Sequence, residues 1–241
     1  MKGVILAAGK GTRLLPVTKV INKSLVLVYD KPLIYYPIMT LKDSGVTDIL
    51  IIAKPGHGGQ FLDLLGSGKE LGVRLTYDVQ EEPLGIAHGL AIAEDFADEG
   101  KIAFILGDEV IEDTFEDAVR KFSESGSGAV IAVAETKDPH RFGIVELSGN
   151  KVIGIEEKPK NPKSNLASCG FYLYDKAVFD IIRSLKPSER GEYEITDVNK
   201  VYLERDQLSA VIAKGAWIDA GTFDSLLEAS VYAASKAKRH A

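Results

Sequence analysis

The chain has 241 residues, 29 Lys plus Arg against 35 Asp plus Glu, a net charge of −6 and 45% hydrophobic residues. One α/β domain of that length buries about three quarters of its unfolded surface. A single cysteine, Cys169, excludes an intramolecular disulfide framework and an all-cysteine zinc site, and four scattered histidines leave little material for a His-based one. The acidic balance argues against a general nucleic-acid or anionic-membrane binder. No stretch approaches the roughly 18 apolar residues of a membrane span, and Val4 to Ala8 is too short for a signal-peptide core, so a cytoplasmic location is expected.

Apolar, β-branched runs predict strands at Val4–Leu6, Ile49–Ala53, Leu75–Val79, Ile102–Leu106 and Ala129–Val133. Segments of helical period lie between them at Tyr35–Asp43, Gln60–Leu65, Ile86–Phe96 and Thr114–Ser123, the last with Thr114 as N-cap. This alternation predicts a Rossmann-like, doubly wound α/β sheet over residues 1–135, with ligands at the carboxyl ends of its strands. After Pro139 the texture changes. Gly143–Leu147 and Lys151–Ile155 flank Ser148-Gly149-Asn150, a hairpin signal, so the sheet is expected to be mixed, with a small antiparallel lobe within residues 136–222. Lys158–Asn165 reads as a loop, Ser168–Tyr174 and Leu208–Ala213 as strands, and Lys176–Leu185 and Glu194–Arg205 as helices. Residues 223–241 form a closing helix, Phe223–Lys238, with a basic, frayed end. No repeat or long linker interrupts the chain, and a single domain over 1–241 is expected.

The first strand runs into Leu6-Ala7-Ala8-Gly9-Lys10-Gly11-Thr12-Arg13. Glycines there let the backbone approach a ligand and expose successive N–H groups as an anion-binding concavity, for which a triphosphate is the natural guest. A Walker A loop fails on spacing, and Gly11 stands where Ser or Thr should bind magnesium. A dinucleotide fingerprint fails because Leu14 occupies the third glycine's place.

Together with a series of motifs farther along the chain, this segment closely resembles the sugar-phosphate nucleotidylyltransferases. Leu6 to Thr18 fits the family opening throughout. Further matches are Lys23, Val28-Tyr29-Asp30-Lys31-Pro32, Gln80 with Gly85-Ile86-Ala87, and Leu106-Gly107-Asp108. Arg141-Phe142-Gly143-Ile144-Val145, Glu156-Glu157-Lys158-Pro159, Arg190-Gly191-Glu192 with Glu194-Ile195-Thr196-Asp197, and Trp217-Ile218-Asp219-Ala220-Gly221-Thr222 complete the series.

The resemblance implies a nucleotidyltransferase fold of the glycosyltransferase-A-like kind, with a sugar-binding antiparallel lobe. It also implies a reaction: the phosphate of a sugar 1-phosphate attacks the α-phosphorus of a nucleoside triphosphate in line, and pyrophosphate leaves. The nucleophile is already an anion, so the protein's task is to align two polyanions and neutralise growing charge. By the same resemblance Arg13 and Lys23 contact the triphosphate, with Leu6, Ala8, Gly9, Gly11 and Thr12 lining its cradle. Asp108 and Asp219 hold Mg2+, an arrangement suited to that ion. Glu157 takes sugar hydroxyls and Lys158 the sugar phosphate, with Gly143 and Gly170 permitting close approach, Arg190 at the sugar phosphate and Glu194 at the hydroxyls. Gln80 and Gly85 read the base; a glutamine amide pairs with the edge that thymine and uracil share. The implied substrates are dTTP, with UTP as the alternative, and α-D-glucose 1-phosphate. Lys19 and Lys31 read as surface lysines, His57 and His88 as surface or turn residues, and Trp217 as core.

Four departures stand out. Glu109 follows Asp108 where the family has Asn; there it can tighten metal binding, repel phosphate or face the other way, since neighbours in an extended segment alternate. The loop carrying Lys23 reads Ser24-Leu25-Val26-Leu27, without the family proline, and is expected to be looser. Phe142 replaces a tyrosine and Ser168 an aliphatic residue near the sugar. Longer family members carry an extension that helps form a tetramer and a regulatory nucleotide site, so weak feedback and a monomer or small homo-oligomer are expected. The rival from another class is a catalytically silent, nucleotide-binding regulatory subunit. The presence of Arg13, Lys23, Asp108, Lys158 and Asp219 together argues against it.

Overall fold

A computed structural model describes residues 1–124, 127–149 and 151–238. In chain order the strands are β1 (Lys2–Ala7), β2 (Leu27–Val28), β3 (Lys31–Pro32), β4 (Asp48–Ala53), β5 (Arg74–Val79), β6 (Ile102–Leu106), β7 (Glu109–Ile111), β8 (Ala129–Glu135), β9 (Gly143–Ser148), β10 (Lys151–Glu157), β11 (Leu166–Tyr174), β12 (Leu208–Ile212) and β13 (Trp217–Asp219). The helices are α1 (Tyr35–Asp43), α2 (Gly58–Leu65), α3 (Ile86–Ala91), α4 (Glu94–Ala97), α5 (Glu116–Glu124), α6 (Ala177–Ser184), α7 (Ile195–Glu204) and α8 (Phe223–Ala237).

Nine strands form one mixed sheet in the order β5-β4-β1-β6-β11-β8-β12-β10-β9. β5, β4, β1 and β6 are mutually parallel, whereas β11 and β10 run against their neighbours. Because strand side chains alternate, β1 feeds both faces. Val4 joins a cluster with Leu90, Val178 and Tyr202 of α3, α6 and α7. Ile5 joins one with Ile38, Phe61 and Phe122 of α1, α2 and α5. A third cluster seats Leu226 and Ala229 of α8 on Leu14, Val28, Val110 and Ile218.

The chain leaves β1 toward β4 and β5 on one side and returns to β6 on the other. That reversal opens a crevice beyond the carboxyl ends of β1 and β6, where such sheets bind ligands.

The antiparallel β9–β10 hairpin forms where it is expected and extends the main sheet, since β10 pairs with β12 and β9 with β11. Two expectations need correction. The helix expected over Ile86–Phe96 is two, because Ile92 and Ala93 donate to the carbonyls three residues back. Thr114 does not cap α5, which begins at Glu116. Phe115 is pinned instead, its ring 4.2 Å from that of Phe171 and its N–H donating to Ser44 Oγ at 3.0 Å. The two-stranded pairings of β2 with β3 and β7 with β13 had no counterpart in the hydrophobic pattern. Of the hairpin signal, Asn150 lies outside the described residues, as does the basic end Arg239 to Ala241.

Candidate active site

The turn after β1 is shaped by close contacts. Gly11 has φ 64°, and a Cβ there would sit 2.7 Å from Thr18 Cγ2, so a side chain would be both strained and blocked. Thr18 Oγ1 donates to the Gly11 carbonyl at 2.7 Å. Asn22, fully buried, donates to the Ala7 carbonyl at 2.8 Å and accepts from Ser24 N–H at 2.9 Å. The segment carrying Lys23 is therefore tied to the end of β1. Ile34 and Leu33 N–H groups close it further on the Ser24 and Val26 carbonyls, at 2.7 and 2.9 Å, so the missing proline leaves it held. Asn22 escaped sequence reading; its only signal was a polar residue inside an apolar stretch.

Lys23 forms an ion pair with Asp108 Oδ2, both side chains about 15% exposed. Asp219 reaches the same place through β13, where it is the direct partner of Glu109 in β7. Ala220 N–H also donates to the Asp108 carbonyl at 3.0 Å. Asp219 Oδ2 accepts from Arg141 Nη2 at 2.8 Å and lies 3.8 Å from Arg13 Nη1. Gly221 makes room for Arg13, since a Cβ there would meet Arg13 Nη2 at 2.5 Å.

The electrostatics follow from these pairings. Burial works to raise the Asp108 carboxyl, but the charge and hydrogen bond of Lys23 carry it below its ordinary value. Burial first, and the Asp108 charge second, push Asp219 up against the pull of Arg13, Lys23 and Arg141. Glu109 is raised furthest, by burial and then by both aspartates. Its carboxyl accepts from Trp217 Nε1 at 2.7 Å and lies under Gly170, where a Cβ would come within 2.6 Å of Oε1. Glu109 is almost fully buried, yet it lines the same cavity as Asp108 and Asp219, held there by Trp217.

Gln80, 4% exposed, donates through Nε2 to the Gly85 carbonyl at 3.2 Å, and the same nitrogen is 3.0 Å from His88 Nδ1. His88, expected at the surface or in a turn, is half-buried, and α3 carries it onto the glutamine. Gly85 has φ 110° and would place a Cβ 2.6 Å from the Tyr193 carbonyl oxygen. Backbone bonds from Tyr193 N–H to Leu84 and from Ala87 N–H to Tyr193, 2.7 and 3.1 Å, clasp this loop to the segment before α7.

At the other end Glu157 Oε2 accepts from Thr196 Oγ1 at 2.6 Å, while its Oε1 lies 3.3 Å from Lys158 Nζ and 3.6 Å from Arg190 Nη1. Gly143 faces Glu157 across the hairpin, and a Cβ there would crowd Thr196 Oγ1 at 3.0 Å. Lys158 takes a left-handed backbone, φ 44°, a conformation rare for a side chain of its size. Arg190 also contacts Glu192 Oε2 at 2.5 Å and Glu194 Oε1 at 3.7 Å.

One cavity of about 700 Å³ joins the two ends. Leu6, Ala8, Gly9, Gly11, Thr12, Arg13, Lys23, Gln80 and Gly85 line it, as do Asp108, Asp219, Gly143, Glu157, Lys158, Gly170 and Arg190. Glu194 is absent from its wall: the side chain turns to accept from Ser188 Oγ at 2.8 Å, with Glu192 lining the cavity instead. Trp217 stands behind the wall, its ring 5.0 Å from that of Phe142. Among the described residues no cluster of three or more metal-ligating side chains occurs, and no helix is long and apolar enough to cross a membrane.

A crevice at the reversal of a doubly wound sheet, with a glycine turn, two carboxylates and surrounding cations, defines a nucleotidyltransferase. The sequence pattern of the nucleotidyl transferase family matches residues 2–236. Glucose-1-phosphate thymidylyltransferase of Mycolicibacterium smegmatis is 48% identical over 95% of this chain and 81% of its own length, and that of Neisseria gonorrhoeae 44% over 96% and 82%. A solved Bacillus anthracis structure, described as a candidate glucose-1-phosphate thymidylyltransferase in complex with a sucrose, is 46% identical. It superposes with a TM-score of 0.92 over 97% of this chain and 95% of that one. UDP-glucose pyrophosphorylase complexed with UDP-glucose shares the fold at a TM-score of 0.86 and 24% identity, over 98% of both chains. The chain belongs to the nucleotidyl transferase family and, within it, to the glucose-1-phosphate thymidylyltransferases.

Proposed function

We propose that the protein transfers a thymidylyl group from dTTP to α-D-glucose 1-phosphate, giving dTDP-glucose and pyrophosphate. The observation that carries this reading is the single cavity with three kinds of wall. A buried glutamine amide stands at one end, Glu157 and Lys158 at the other, and a cation-rimmed carboxylate pair between them.

Each end has a task. Gln80, its Nε2 held by Gly85 and His88, presents its carbonyl oxygen to the N–H of the thymine edge. Glu157, held by Thr196, accepts from sugar hydroxyls, and Lys158 and Arg190 neutralise the sugar phosphate. The glycine turn and Arg13 hold the triphosphate so that the sugar phosphate oxygen approaches the α-phosphorus opposite the departing pyrophosphate. Lys23 and Arg13 offset charge on the transferring and leaving oxygens. No residue need take a proton from the nucleophile.

Mg2+ fits the carboxylate pair. Asp108 and Asp219 share a largely buried site, and Asp219 is pushed up by burial first and by the Asp108 charge second, a repulsion that a divalent cation would relieve. Two carboxylates with substrate phosphates and waters suit this ion. When bound, it supplies charge neutralisation at the phosphates.

The test is pyrophosphate release with Mg2+ across dTTP, UTP, ATP, CTP and GTP against several sugar 1-phosphates. The reading expects dTTP with glucose 1-phosphate to give the highest kcat/KM. A protein that binds nucleotide and turns over no pair would be a regulatory subunit instead.

A further inference from the structure

Arg141 belongs to none of the roles above, yet it makes the shorter of the two ion pairs to Asp219. Its Nη2 donates to Oδ2 at 2.8 Å, against 3.8 Å for Arg13 Nη1. The guanidinium lies 5.2 Å from the centroid of the Phe142 ring, which is braced edge-on by Trp217. The side chain is 35% exposed and lines the cavity. Among the described residues, Asp219 is its one side-chain hydrogen-bond partner. Lys23 stands on Asp108 in the same way. Cations therefore occupy both carboxylates that a metal would need.

We propose that Arg141 is an exchange cation: it holds the Asp219 carboxylate while the site is free of metal and moves onto the oxygens of the reacting phosphates when a divalent ion takes that carboxylate. The inference rests on reading Asp108 and Asp219 as the metal ligands. Its physical basis is that a guanidinium fork matches carboxylate and phosphate equally well, so the exchange trades one charge-assisted contact for another. The Phe142 face supports the cation on either partner. Metal binding to the nucleotide-free protein is thereby suppressed by a built-in competitor, and metal and triphosphate favour each other's entry.

The experiment measures Mn2+ affinity of the nucleotide-free protein by electron paramagnetic resonance for the native chain, Arg141→Gln, Arg141→Met and Asp219→Asn. Asp219→Asn must weaken Mn2+ binding, which locates the ion; if it does not, the metal reading and the exchange both fail. The Arg141→Gln chain should bind Mn2+ about tenfold more tightly, and its kcat with dTTP and glucose 1-phosphate should fall about tenfold or more with a smaller change in KM. Arg141→Met keeps an apolar stem against Phe142, must shift Mn2+ affinity the same way, and decides the matter if the glutamine variant does not fold. Unchanged or weaker Mn2+ binding in a folded variant, with Asp219→Asn still defective, overturns the exchange and leaves the metal reading intact.

Discussion

Glu109 and Asp219 are direct partners in the short antiparallel pairing of β7 with β13, and this register sets Asp219 beside Asp108. Two carboxylates from distant parts of the chain thereby share a site whose charge is balanced by Lys23, Arg13 and Arg141.

Removing either side of that balance should cost turnover. On the proposed roles, Arg13→Ala takes away a donor to the triphosphate, and Asp108→Asn strands Lys23 and removes a carboxylate proposed to hold the metal. Each is expected to lower kcat on the order of 100-fold or more. Steady-state pyrophosphate release checks this, with intact turnover in either variant contradicting the assigned roles.

Gln80 and His88, 3.0 Å apart, are expected to act as a unit. Gln80→Ala should raise the KM for dTTP, on the order of tenfold, and His88→Ala should raise it less, by loosening the amide. The double variant should then lose less than the product of the two single effects, because both remove one arrangement. Fully independent effects would show that His88 does not position the glutamine.

Glu109 gives a pH signature. Its carboxyl titrates well above the ordinary carboxylate range in the folded chain, so from the unfolded value of about 4.3 upward the folded state retains a proton that the unfolded state has lost. Stability is fully present below the unfolded value and declines as pH rises through the folded one. Glu109→Gln keeps an acceptor for Trp217 and carries no charge. In the presence of chelator its melting temperature should exceed the native one by a margin that widens with pH, about 2–4 °C for each kcal/mol recovered. Thermal unfolding at pH 5 and pH 8 decides; an equal margin at both would rule out the ionised carboxyl as its cause.

Gly85→Ala should damage both ends of the cavity. The residue has φ 110° and lies against the Tyr193 backbone, so a methyl group strains the turn and pries the clasp between the base loop and the segment before α7. A loss of about 1–3 kcal/mol in stability is expected, with higher KM for both substrates. A rise confined to dTTP would show that the clasp does not couple them.

Much of the site was legible because its residues sit where strands end. Asp108 follows β6, the glycine turn follows β1, and Glu157 ends β10, each marked by an apolar run that periodicity finds. What was illegible depends on contacts across the chain. β7 and β13 are three residues each, too short for a pattern, yet they unite the carboxylates. Arg141 and His88 are each placed by one side-chain hydrogen bond and Asn22 by two, and little in the local sequence distinguishes such a side chain from a solvated one. Glu194 failed for the opposite reason: its motif pointed to the sugar, while Ser188 draws the carboxyl out of the cavity wall.

The most direct measurement is the fate of label from dTTP incubated with glucose 1-phosphate, Mg2+ and the protein. Label at the α-phosphorus should appear in dTDP-glucose and label at the γ-phosphorus in pyrophosphate, in equal amounts. Release of α-label as dTMP, or its retention in dTTP while the protein stays folded and nucleotide-bound, would contradict in-line thymidylyl transfer to the sugar phosphate.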